Sequence, residues 1–217
     1  MKISKNTVDI FKNFATINSN ILIKEGSTLA TISTSKNIFA KAKIAETCPK
    51  EFAGYDLNSL LSLLTIMDDM DLTFGAESLK VTKDSREFEY YYADIGIIVA
   101  APDKNIEVED FYSFKLSADS LSMILKAAAV VSAPTLSVIS SGGKVVLTVG
   151  DPANKKSNSF KQDIGRFDQE FSTHLSIELL KVIPGDYKVV ISKKKMMYFE
   201  NEKVDVKYWI ALQKAEF

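Results

Sequence analysis

The sequence predicts an α+β protein of two similar halves, each carrying two helices on β-sheets. Three observations point there. Helix-sized amphipathic segments start near Ser4, Asp56, Ser117 and Ser176, roughly every 50–60 residues and so a little longer than most repeat arrays. Short strand-like runs follow each of them. The 217 residues suffice for two domains, and 46% hydrophobic content can fill their cores. The halves divide as 1–106 and 107–217, and pseudo-symmetry of this kind often builds rings.

In the first helix Val8, Phe11, Phe14 and Ala15 fall on one apolar face, with Lys5, Asp9, Lys12 and Thr16 on the polar one. Ser4 is its N-cap, because its side-chain oxygen can accept from a free amide of the first turn. Strands are expected at Ile21–Lys24, Thr28–Ser33 and Ile38–Ile44, the last alternating apolar and basic residues. Asp56 caps the second helix, which buries Leu57, Leu60, Leu61, Leu64 and Met67. Its other face, Asn58, Ser59, Ser62 and Thr65, is polar but uncharged. Strands follow at Asp71–Phe74, Ser78–Lys83, Glu87–Tyr92 and Ile97–Ala100. Pro102 to Asp110 reads as a connector.

The second half opens with a strand, Phe111–Leu116, and a helix capped by Ser117. Leu121, Ile124, Leu125 and Ala128 turn inward, and Ser122 and Lys126 share the opposite face. Leu136–Ser140 and Lys144–Val149 flank a Ser-Gly-Gly hairpin signal, and Ser157–Ile164 is a further strand. A fourth, shorter helix, Ser176–Lys181, stops before Pro184-Gly185-Asp186, where proline ends a helix and glycine permits the turn. Tyr187–Ser192, Met196–Glu200 and Val204–Leu212 complete the chain as strands.

Composition excludes several classes of function. No apolar run approaches the ~20 residues of a membrane helix, and Asp9 and Lys12 interrupt what would be a signal peptide. The chain reads as soluble and intracellular. A single cysteine, Cys48, excludes an internal disulfide framework. A net charge of −1 is not that of a protein gripping nucleic acid with its whole surface, but it permits a local basic stripe. One histidine, His174, sits before the fourth helix without a nucleophile-elbow signal, so it reads as a surface or boundary residue. Gly142-Gly143-Lys144 lacks the rest of a phosphate loop, since Val145 follows the lysine. Asp68, Asp69 and Asp71 read as a solvated turn, or with a metal as a hydrolase site. Lys193–Lys195 read as a hairpin tip, solvated or phosphate-contacting. Trp209 lies on the face opposite Val206, Tyr208 and Ile210, covering a second sheet or an edge, or binding a partner. Lys5 and Lys12 are two helical turns apart and share a face; Asp9 between them could pair with both. No cofactor or metal constellation emerges, and the chain reads as a non-enzyme.

Three separated blocks carry a resemblance: Phe11–Ser19, Tyr55–Ser62 and Pro184–Val189. They resemble the sliding clamps of T-even-type bacteriophages, in order and over nearly the whole chain to Phe217, with a poorer match from Phe74 to Phe114. The resemblance implies two DNA-clamp domains per chain in a closed homotrimeric ring around duplex DNA, helices lining the hole and sheets outside. It implies as partners the replicative DNA polymerase, an ATP-dependent clamp loader and late-transcription factors, with the infected host's cytoplasm as location. By position, Lys5 and Lys12 match basic residues of the pore-facing first helix, Lys126 one on the third and Lys181 one on the fourth. Ala129 stands where the family's third helix can carry a second basic residue. Fold analogy puts the subunit junction at one strand edge from each half, near Phe88–Tyr92 and Ser157–Asp163. Few, interchangeable phosphate contacts suit a ring that must slide. The rival expectation is a β-rich virion or assembly protein.

Overall fold

The computed structural model describes residues 1–66, 70–103, 106–154 and 156–217. The chain forms two compact units, Met1–Lys104 and Asn105–Phe217.

The first unit begins with α1 (Lys5–Ile17), which starts because Ser4 accepts from the Thr7 amide at 3.3 Å. Its buried face is Val8, Ile10, Phe11, Phe14 and Ile17, with the Thr7 side chain also enclosed. It stops at Asn18, which turns extended while its amide still reaches Phe14 O at 2.9 Å. β1 (Ile21–Ile23) pairs antiparallel with β4 (Phe52–Gly54), and β2 (Gly26–Ile32) with β3 (Ile38–Cys48). α2 (Leu57–Ile66) starts where Asp56 accepts from the amides of Asn58 and Ser59 at 3.0 and 3.2 Å. β5 (Asp71–Phe74), β6 (Ser78–Lys83) and β7 (Arg86–Tyr91) form an antiparallel meander. The outer side of β5 is covered by residue 1, whose nitrogen donates to Leu72 O and whose carbonyl accepts from Leu72 N.

The expected strand at Ile97–Ala100 does not form. Ile95–Ile97 is a 3-10 turn, because the Asp94 carboxylate takes the Gly96 amide at 2.7 Å and offers the backbone an alternative to a ladder. β3 runs past Ile44 to Cys48, whose buried thiol is pushed upward in pKa by desolvation, helped by the neighbouring Glu46 charge. Met67, Asp68 and Asp69 lie outside the described residues, and Asp71 is exposed at the start of β5.

The second unit holds β8 (Asp110–Leu116), α3 (Ala118–Val131), β9 (Thr135–Ser141), β10 (Lys144–Gly150), β11 (Phe160–Arg166) and β12 (Phe171–Ser176). β13 (Tyr187–Ser192), β14 (Met196–Asn201), β15 (Val206–Ala211) and β16 (Lys214–Glu216) follow. One sheet has the order β11-β10-β9-β12-β16, and a second contains β15-β14-β13-β8. Ser117 caps α3 by accepting from the Ser120 amide at 3.1 Å, and α3 packs on β10 and β11. Gly142 and Gly143 both have positive φ, 59° and 77°, as a two-residue hairpin between β9 and β10 requires. Tyr187, Phe199 and Tyr208 are fully enclosed. The Tyr187 hydroxyl donates to Ile183 O at 2.6 Å, and burial pushes its pKa up to about 12. Trp209, half-buried, packs on Tyr198 with ring centres 5.1 Å apart.

Four expectations in this unit are corrected. The fourth helix is a single 3-10 turn, Ile177–Leu179. Ser176 cannot serve as a helix cap because it ends β12, paired with Thr135, and makes no side-chain cap bond. Leu125 is exposed, because α3 rests on the sheet through a narrower stripe of Leu121, Ile124 and Ala128. β11 starts only at Phe160, since the Ser157 amide closes a turn onto Asn154 O. His174 is not at a helix boundary but inside β12, half-buried between Ser137 Oγ (2.8 Å from Nδ1) and Ser172 Oγ (3.0 Å from Nε2). Three strands, β4, β12 and β16, were not expected.

Candidate nucleic-acid interface

Each of the four sequence-predicted lysines is exposed. Lys5 and Lys12 stand on the polar face of α1, with a rise of about 10 Å between them at 1.5 Å per residue. Lys12 Nζ lies 3.5 Å from Asp9 Oδ1, with both side chains about half exposed. Such a pair is worth only about 0.5 kcal/mol, so it does not hold Lys12 away from a phosphate.

α1 is held in place from below. Glu46 on β3 accepts from the Ser4 amide and, at 2.6 Å, from the enclosed Thr7 hydroxyl. Burial pushes the Glu46 carboxyl upward in pKa, but the Thr7 hydroxyl and the Ser4 amide and hydroxyl outweigh it, and the net direction is down. Glu46→Ala leaves those donors without their acceptor, and the expected loss is about 2 kcal/mol at neutral pH. A lowered carboxylate pKa stabilises fully above the ordinary value of 4.5, and this is lost as pH falls through the folded-state value. Urea titrations of both proteins at pH 7 and pH 3 are expected to show the difference shrinking at the lower pH. Sequence reading missed Glu46, whose signal would have been a polar residue at a strand position facing a helix N-terminus.

α2 starts beside the end of α1: the Leu57 amide donates to Ser19 O at 2.8 Å, and the two helices pack together. Asn58, Ser59, Ser62 and Thr65 are exposed, and the Ser62 and Thr65 hydroxyls return to carbonyls of their own helix at 2.9 Å. This surface is polar without charge.

In the second unit, residues 177–186 are pinned to both ends of α3. The Ile177 amide donates to Pro134 O at 2.9 Å, just past the helix, and the Ala118 amide donates to Asp186 Oδ1 at 2.8 Å. That Ala118 bond, with Lys203 at 3.1 Å, lowers the Asp186 pKa. Lys126 lies in the middle of α3 and Lys181 in the pinned segment. Each shares its segment with one acid, Asp119 on α3 and Glu178 three positions before Lys181. On α1, two lysines face one aspartate. Lys193–Lys195 form the tip between β13 and β14, with Lys194 paired to Glu107 at 3.0 Å and Lys193 over the Phe111 ring.

Among the described residues no helix is long and apolar enough to cross a membrane, and no three His, Cys, Asp or Glu residues group as metal ligands.

A family described as DNA polymerase processivity factor matches residues 3–93. A sliding clamp of Vibrio phage KVP40 is 31% identical over 199 residues, covering 88% of this chain and 90% of that protein. The sliding clamp of Enterobacteria phage T4 is 28% identical and covers 98% and 97%. Among solved structures, the A. fulgidus PCNA with the C-terminal region of FEN-1 bound superposes with a TM-score of 0.73 at 12% identity, covering 100% and 98% of the two chains. A PCNA2–PCNA3 complex from Sulfolobus tokodaii gives 0.69 at 13% identity, covering 98% and 99%.

Proposed function

Because the chain belongs to the phage sliding-clamp family, whose members are non-enzymatic DNA polymerase processivity factors, we propose that it encircles duplex DNA as a homotrimeric ring. The observation that carries the reading is the exposed pair Lys5 and Lys12 on a helix that Glu46 holds rigidly. Lys126 and Lys181 add weaker contacts in the second unit. The ring tethers the replicative polymerase to its template, is opened by an ATP-dependent loader and takes part in late transcription, in the cytoplasm of the infected host. Phosphate contacts carry no sequence information, so the ring slides. Enclosure supplies the retention that tight binding would otherwise provide.

With loader and ATP, the protein is expected to stay on a nicked circular duplex and to leave when the circle is cut. In solution its mass is expected at three times the 24.1 kDa chain. Equal retention on circular and linear DNA would overturn the reading in favour of a structural or assembly role.

A further inference from the structure

The two helices of the first unit pack together but present different chemistry to solvent. α1 carries Lys5, Asp9 and Lys12, whereas α2 contains no charged residue. The exposed side of α2 is made of Asn58, Ser59, Ser62 and Thr65. Asn58, Ser62 and Thr65 recur at helical spacing and so share one face.

The donors of that face are committed within the helix and its cap. Ser62 Oγ donates to Asn58 O and Thr65 Oγ1 to Leu61 O, each at 2.9 Å. Ser59 Oγ donates to Asp56 Oδ2 at 2.5 Å. The Asn58 and Ser59 amides, which a helix start leaves without an internal acceptor, also go to Asp56. The Ser59 hydroxyl, with these two amides, holds the Asp56 carboxyl below its ordinary pKa, so it is negative at neutral pH. A hydroxyl has one proton and two lone pairs. With its proton turned to a carbonyl of its own helix, it shows the solvent lone pairs. Among the described residues, the Asn58 side-chain amide is the donor left on this face.

Phosphate oxygens are acceptors as well. Two acceptors facing each other repel, and water joins them by donating to both. A lysine is the opposite case, with three donors on a positive charge. α1 therefore attracts a polyanion, and α2 gives it almost nothing to hold. Cations on α2 would add phosphate contacts, each steepening the salt dependence of binding by roughly 0.9. Exposed apolar side chains there would form an adhesive patch.

We propose that α2 is a gliding face, which meets the phosphate backbone of duplex DNA across water and leaves direct contact in the first unit to α1. The inference rests on the ring reading, in which helices line the hole. It adds a division of labour: one helix grips weakly and its neighbour keeps the duplex moving.

The test follows labelled protein, loaded on stretched duplex DNA, by single-molecule tracking across a salt series, with far-UV circular dichroism confirming each fold. Ser62→Ala with Thr65→Val removes both hydroxyls and is expected to leave the diffusion coefficient and the salt dependence of retention as in wild type. Ser62→Lys, at the same exposed position, is expected to slow diffusion about threefold or more and to steepen the salt dependence by roughly 0.9 for each lysine that reaches a phosphate. Faster diffusion of the Ala/Val variant would show that the hydroxyls do hold phosphates, and would overturn the gliding face. Ser62→Lys diffusing like wild type would place α2 away from the duplex and overturn it too, with the ring intact. A wild-type protein that does not stay on circular DNA would instead overturn the ring reading and this inference with it.

Discussion

Lys5→Glu combined with Lys12→Glu is expected to reduce loader-dependent polymerase stimulation at least tenfold while leaving the melting temperature nearly unchanged. Both side chains are exposed, and surface substitutions of this kind usually shift stability by no more than about 0.5 kcal/mol. The functional loss is larger because repulsion replaces attraction at two points on every copy. Each phosphate contact removed also lowers the salt slope of DNA binding by roughly 0.9. Lys126→Glu is expected to do less, since α3 already balances one lysine with Asp119. The measurement is primer extension on circular template across a salt series. Stimulation equal to wild type at every salt concentration would remove α1 from DNA contact.

Phe14→Ala is expected to cost about 3–5 kcal/mol, the range for enclosed phenylalanine truncations. Phe14 is fully enclosed, at the centre of the face by which α1 packs on β3, β2 and α2. Each kcal/mol moves the midpoint of a domain of about 100 residues by about 4–8 °C, so the expected fall exceeds about 12 °C. Ala15, only half-buried one position on, is a fitting control: Ala15→Ser is expected to change the midpoint little. Thermal melts of the two variants decide it, and equal midpoints would show that α1 does not contribute to the core as its burial implies.

Three helices were legible because cap and periodicity agree over a few residues. Ser4, Asp56 and Ser117 each precede apolar residues at helical spacing and accept first-turn amides in the fold. Ser176 begins a similar pattern, yet its place is set by Thr135, forty-one positions earlier, through a ladder that no local window contains. β12 was hidden for a related reason: Phe171, Thr173 and Leu175 alternate inward as a strand should, but the expected helix drew the eye past them. Glu46 was not legible because its donors are 42 and 39 residues away. The lysines were legible as solvent-facing positions, since periodicity alone assigns a helix its two faces. Their common target was not, because it depends on how copies assemble rather than on any spacing within one chain.

His174 is the only histidine in the sequence, and it sits between two serine hydroxyls on adjacent strands of one sheet. Burial, with Lys214 nearby and Glu216 opposing, lowers its pKa and favours the neutral ring. A neutral imidazole in that position must donate from one nitrogen and accept at the other. The protein therefore carries a built-in magnetic-resonance label: nitrogen-15 spectra contain one pair of imidazole signals, both from His174. Their couplings to the ring's carbon-bound protons tell Nδ1 from Nε2, and so read out the tautomer and the direction of the hydrogen bonds across β9 and β12 in the intact molecule without any introduced probe.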